Sequence, residues 1–180
     1  MQKGWINMNF NSVAEIVFYF AVYSFVGFLL ENTLSLVLTG VFWKDGFLRS
    51  PHKPMYGIAP VILLYAAHEL PLGITLLLCF IVPTAVELLS GIMLDKGLQR
   101  RYWDYSKLPL QYRGYICLPF SLVWLGLSAL VLYGMHPSVA AIYRYLTPVW
   151  VAITPYFLLY LLVDTCLAIW KQDRVALPER

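Results

Sequence analysis

Apolar residues fall in long unbroken runs, without the alternation or narrow stripes of elements that face water, and these runs set the layout of the chain. About 20 apolar residues carry a helix across the hydrocarbon core of a bilayer, and the run 13–38 exceeds that. Residues 55–70 are a shorter run that just reaches across, either as a full span or as a re-entrant half-helix. Pro71 restarts the chain, and 72–94, 115–135 and 148–170 each read as a further crossing. The pattern predicts an all-α, polytopic membrane helical bundle of about five transmembrane helices, forming one domain over 1–180. Longer connections are expected at 39–56 and 95–114, and the stretch 137–147 is expected to lie flat at the interface.

Composition agrees with a lipid-facing chain: 60% of residues are hydrophobic and 13% charged, against about 25% charged in soluble domains. The first run is longer than the about 7–15 apolar residues of a signal peptide. No A-x-A-like cleavage site follows it, so it is expected to remain as a helix. No block of Lys and Arg resembles a nucleic-acid footprint.

The basic residues give an orientation. Lys44, Arg49 and Lys53 lie in the first connection, and Lys96, Arg100, Arg101, Lys107 and Arg113 in the second. Lys171, Arg174 and Arg180 lie in the tail. With five spans all of these share one side, leaving Lys3 and Arg144 opposite. Cytoplasmic loops carry the excess of Lys and Arg, which predicts an external N-terminus and a cytoplasmic C-terminus.

A parallel internal repeat is also legible. Glu31 precedes Trp43-Lys44-Asp45, a proline-bearing stretch and Tyr56-Gly57, while Glu87 precedes Trp103-Asp104, Pro109 and Tyr112-Arg113-Gly114. Duplicated helix–loop–helix units of this kind are common in transporters.

Acids inside membrane helices cost about 2.5–3.5 kcal/mol at the helix centre on insertion scales, and three are present: Glu31, Glu87 and Asp164. Each sits near the cytoplasmic end of its helix, which places all three in one layer about 10 Å deep at about 1.5 Å per residue. Ser24, Gly27 and Glu31 share a helix face, as do Thr84, Glu87 and Gly91, and Tyr160 sits one turn before Asp164. Small residues beside an acid let helices approach closely, so these faces are expected to turn inward. The acids then serve either a binding site or hydrogen bonds between helices.

Above this layer the connection Gly46–Gly57 is stiffened by Pro51 and Pro54 and ends on Tyr56. Proline fixes its own φ and restricts the residue before it, so the loop should hold a shape. Arg49 and His52 suit a phosphate or an anionic head group, whereas Lys53 is expected to contact lipid. In the second connection, Trp103 and Tyr105 resemble an interfacial aromatic belt. Asp104 between them should pair with Arg101 or Arg113, or reach the inward-facing site. Cys79, Cys117 and Cys166 have neither metal-ligand nor disulfide spacing and read as small buried hydrophobes. No nucleophile triad, P-loop or dinucleotide fingerprint occurs, so no cofactor, no metal and no ATP hydrolysis by the chain itself is expected.

Several of these segments recur together in one family. They are Ser24-Phe25-Val26-Gly27 with Glu31; Gly46 through Gly57 with Pro51, Pro54 and Tyr56-Gly57; Glu87, Gly91 and Asp95-Lys96; Trp103-Asp104-Tyr105-Ser106; and Gly114 with Ile116-Cys117-Leu118. In these the chain resembles the ABC-transporter type IV (CmpB-type) membrane proteins of bacteria, over about residues 19 to 137. Ser50 stands where the family pattern has Gly, His52-Lys53 replaces more apolar residues, and Asp164 lies beyond the shared block.

The resemblance implies a permease-like subunit of the bacterial inner membrane that works with a separate ATP-binding cassette ATPase. A chain this short would build a pathway as a homo-oligomer or with other subunits. The residues leave a second class open: a membrane-embedded enzyme or binding protein for an anionic lipid or phosphorylated small molecule at the inner leaflet. There Glu31 and Glu87 would act as acid/base or cation ligands, with Arg49 and Arg113 holding a phosphate. A third class is an accessory or scaffold protein.

Overall fold

A computed structural model of the chain describes residues 13–44 and 46–175, and in them the long apolar runs are helical. Lys3, Asp45 and Arg180, used in the charge and repeat arguments above, lie outside the described residues, as does the side chain of Arg174. Helix α1 spans Val13–Thr39, α2 Pro54–Ala66 and α3 Leu72–Leu98. A two-stranded antiparallel hairpin follows, β1 Gln111–Tyr112 with β2 Ile116–Cys117. Helix α4, Leu118–Leu130, passes through a π turn at Val131–Met135 into α5, His136–Val175. Among the described residues, three helical stretches are long and apolar enough to cross a bilayer: Val13–Thr39, Leu72–Leu98 and Leu118–Lys171.

Local chemistry explains the boundaries. Pro54 opens α2 in its first turn, and Pro119 does the same for α4, positions where a missing N–H leaves no bond unmade. Helix α2 stops at Ala66, short of the expected residue 70, because Glu69 adopts φ 61° just before Pro71. Its 13 residues rise about 20 Å against a core of about 30 Å. The hairpin falls where an irregular connection was expected. Residues 113–115 join the strands; Arg113 and Gly114 both have positive φ, 52° and 74°, which turns the chain back so that the Tyr115 N–H donates to the Tyr112 carbonyl at 3.0 Å.

Residues 137–147, expected at the interface, belong to a continuous helix, with Tyr143 buried against Phe18 and Tyr19 and Tyr145 fully outward. The fourth and fifth apolar runs are therefore joined through helix, and the reversal comes later. Along α5, His136 Nδ1 lies 2.9 Å from the Tyr23 hydroxyl, and Trp150 Nε1 donates to the Ala14 carbonyl at 2.8 Å. So far α5 climbs α1 backwards. Beyond Trp150 the order inverts: Phe157 stacks edge-on against His52 and Asp164 meets Ser50, in a loop tied to Ser24 of α1 through the Lys53 N–H. Between these contacts stand Pro148 and Pro155, each lacking the N–H that would bond one turn back and so permitting a sharp bend.

Helix α2 runs antiparallel to α1 and sits closest to it, because two glycines remove the side chains in between. A Cβ on Gly27 would overlap the Tyr56 ring. One on Gly57 would lie 2.6 Å from the Phe20 ring and 2.8 Å from the Phe20 carbonyl. The aromatic core formed by Phe18, Tyr19, Tyr23, Leu63, Leu64 and Tyr143 lies beyond this contact. Cys79 and Cys117 are buried as expected, whereas Cys166 faces outward from α5.

Candidate functional site

Glu31 and Glu87 meet around Tyr56. Glu31 accepts a hydrogen bond from Lys53 Nζ at 2.9 Å and lies 3.2 Å from Lys44 Nζ. Tyr56 adds a hydrogen bond to the same carboxylate. Glu87, 1% exposed, accepts from the Tyr105 hydroxyl and from Trp124 Nε1, both at 2.9 Å. The Tyr56 ring rests edge-on to Trp124, 5.3 Å between centroids. Four elements converge: α1, α2, α3 and the start of α4, with the second connection supplying Tyr105. A buried carboxylate is costly unless each oxygen is bonded, and here both oxygens of Glu87 are.

Behind Tyr56 and Trp124 lies an apolar cavity of about 110 Å³, walled by Tyr23, Gly27, Pro60, Pro83 and Met135 among others. Small-molecule sites run to about 300–1,000 Å³, so one chain does not enclose a substrate-sized chamber here.

Asp164 is placed elsewhere. Its Oδ1 and Oδ2 accept the Arg49 and Ser50 backbone N–H groups at 3.3 and 3.0 Å. It anchors the first connection instead of completing the acid layer with Glu31 and Glu87. His52 packs among Phe25, Phe157 and Tyr160, and burial lowers its imidazole pKa despite the upward pull of Asp164.

The second connection holds itself. Asp104 accepts the Ser106 N–H at 2.9 Å and its hydroxyl at 3.1 Å, bonds that lower its pKa. It makes a local turn, with Oδ1 beside Gly114, and neither of the arrangements expected for it: Arg101 pairs with Asp95 at 2.8 Å, and Arg113 lies exposed over the Tyr112 ring. Trp103 donates from Nε1 to the Tyr115 carbonyl at 2.8 Å and packs near Gly91. Arg49 is exposed while its neighbours Leu48 and Ser50 are buried.

Lys53 corrects the reading from sequence. Expected to contact lipid, it is 8% exposed and forms the short ion pair with Glu31. Sequence reasoning also missed Lys44 and Trp124 as partners of the two acids. It missed Asn32, fully buried, whose Oδ1 accepts the Lys44 N–H at 2.8 Å. The available signal was balance: an acid deep in a helix calls for a cation or a donor within reach, and Lys53 and Trp124 were the nearest on returning elements.

Long apolar helices closing over a bonded acid cluster, with the basic connections gathered at one end, define a multi-pass membrane protein. The family described as Putative ABC-transporter type IV matches residues 18–169, and the chain belongs to it. That range takes in Asp164, which the motif comparison had left outside the shared block. No curated protein and no solved structure matches the chain.

Proposed function

We propose that this protein is the permease-like membrane subunit of a transporter of the bacterial inner membrane, driven by a separate ATP-binding cassette ATPase. It crosses five times, with the N-terminus outside and both connections in the cytoplasm. The fifth crossing begins at the Pro148–Pro155 bend. The two acids belong to duplicated helix–loop–helix units, α1 with α2 and α3 with α4, and Glu31 and Glu87 line the inward-facing site completed by a second copy or another subunit.

One observation carries this reading beyond family membership: the first connection is bolted to two helices at once. Lys53 ties it to α1 through Glu31 and the Ser24 carbonyl, and Asp164 ties it to α5 through two backbone N–H groups. A partner pressing on this loop moves α1 and α5 together. That is what a cytoplasmic motor needs, and what a loose linker cannot provide.

Affinity purification from native membranes in mild detergent, followed by mass spectrometry, is expected to recover a near-stoichiometric ATP-binding cassette protein. Exchanging surface residues of the first connection should release it. A pure protein fully active without ATP would overturn the reading. Orientation is checked separately with single cysteines in a background lacking Cys79, Cys117 and Cys166. A cysteine at Gly40 is expected to label from the cytoplasm, and one at Tyr145 from outside.

A further inference from the structure

Beside the acid cluster lies a basic recess of about 320 Å³ between the first connection, Arg100, Tyr102 and the end of α5. Lys44, Arg49, Lys53, Arg100 and Lys171 all line it. Among the described residues the nearby carboxylates are two. Glu31 is shared by Lys44 and Lys53, and Asp164 is spent on backbone N–H groups. Arg49, Arg100 and Lys171 have no carboxylate in ion-pair reach among the described residues. Three segments far apart in sequence bring these three cations to one hollow, where like charges repel unless an anion sits between them.

The walls narrow the chemistry of that anion. Phe28, Trp43 and Phe47 supply apolar surface beside the cations, so the recess suits a charged head joined to an apolar or ring-bearing body. Ser50 Oγ and His52 Nδ1, in residues of the same wall, are buried without a hydrogen-bond partner among the described residues. An anion with several acceptor oxygens and its bound water answers both deficits. Arginine's planar fork fits phosphate oxygens two at a time, and lysine adds a point charge.

We propose that this recess binds a phosphate group, carried either by a membrane lipid whose chains extend along the aromatic wall or by a soluble phosphorylated molecule. The site engages Arg49, Arg100 and Lys171 directly, while Lys53 and Lys44 hold the loop over it through Glu31. The proposal is independent of any ATPase partner, so its failure leaves the transport reading standing.

The test is native mass spectrometry of the full chain in neutral detergent, titrated with phosphatidic acid and with phosphatidylcholine, with inorganic phosphate and glycerol 3-phosphate as soluble competitors. A single saturable phosphatidic acid adduct is expected, about tenfold tighter than phosphatidylcholine or more. Arg49→Ala with Arg100→Ala should weaken it by about tenfold or more, as should Lys171→Ala alone. All three side chains are exposed, and thermal unfolding checks that the variants stay folded; if the double variant does not, Lys171→Ala carries the test. Competition by the soluble phosphates identifies a soluble ligand, and lack of it a lipid. Unsaturating adducts, or affinities unchanged in the variants, overturn the proposal.

Discussion

Lys53→Met is expected to destabilise the protein by about 3–5 kcal/mol, the cost of leaving one charge of a buried ion pair without its partner. The Lys53 and Glu31 side chains are only 11% and 16% exposed, so water cannot replace the lost ammonium. Lys44 remains at 3.2 Å, but its side chain is 44% exposed, and a solvated cation compensates weakly. The double variant Glu31→Gln with Lys53→Met should recover most of the loss, since it removes the orphaned charge itself. Unfolding in graded denaturant from mixed micelles reads the difference. A Lys53→Met protein as stable as the parent would mean that Glu31 is held by something other than this pair. If the double variant is stable but inactive in transport, Glu31 acts in function beyond holding the loop.

Gly57→Ala is expected to cost about 1–3 kcal/mol, the usual penalty for forcing an extra carbon into a packed contact. The new Cβ would meet the Phe20 carbonyl at 2.8 Å, and backbone cannot step aside as a side-chain tip can. The separation of α1 and α2 must then widen, loosening the contact that places Tyr56 between Glu31 and Glu87. Gly126→Ala is the matched control. A Cβ there meets nothing within 4 Å, and helix propensity alone should make the change neutral or stabilising by about 0.5–1 kcal/mol. Equal effects at the two glycines would show that α1 and α2 do not pack as closely as described.

The two variants also mark where the sequence was readable and where it was not. Glu31, Glu87, Ser24, Gly27 and Gly91 were legible because a charge in a membrane helix is costly and small residues at helical spacing mark a packed face. That Ser24, Gly27 and Glu87 are buried follows from the same rule. Partner identity was not legible. Trp124 and Glu87 are 37 residues apart and Asp164 and Ser50 114 apart, and periodicity within one helix says nothing about which returning helix arrives beside it. Lys53 shows the consequence. As a lone basic residue in a basic loop it reads as a lipid contact, and only the approach of α2 to α1 carries it down onto Glu31.

The same division runs through the whole molecule. Residue order alone was enough for the membrane class and the helical runs, because lipid requires each spanning segment to satisfy its own backbone locally. Proline and glycine positions act locally too. The pairing of each acid, the course of α5 back toward the first connection and the gathering of Arg49, Arg100 and Lys171 in one recess came from packing between segments distant in sequence. Those contacts depend on which side chains interlock once the helices are side by side, a property of pairs of elements that no single segment carries.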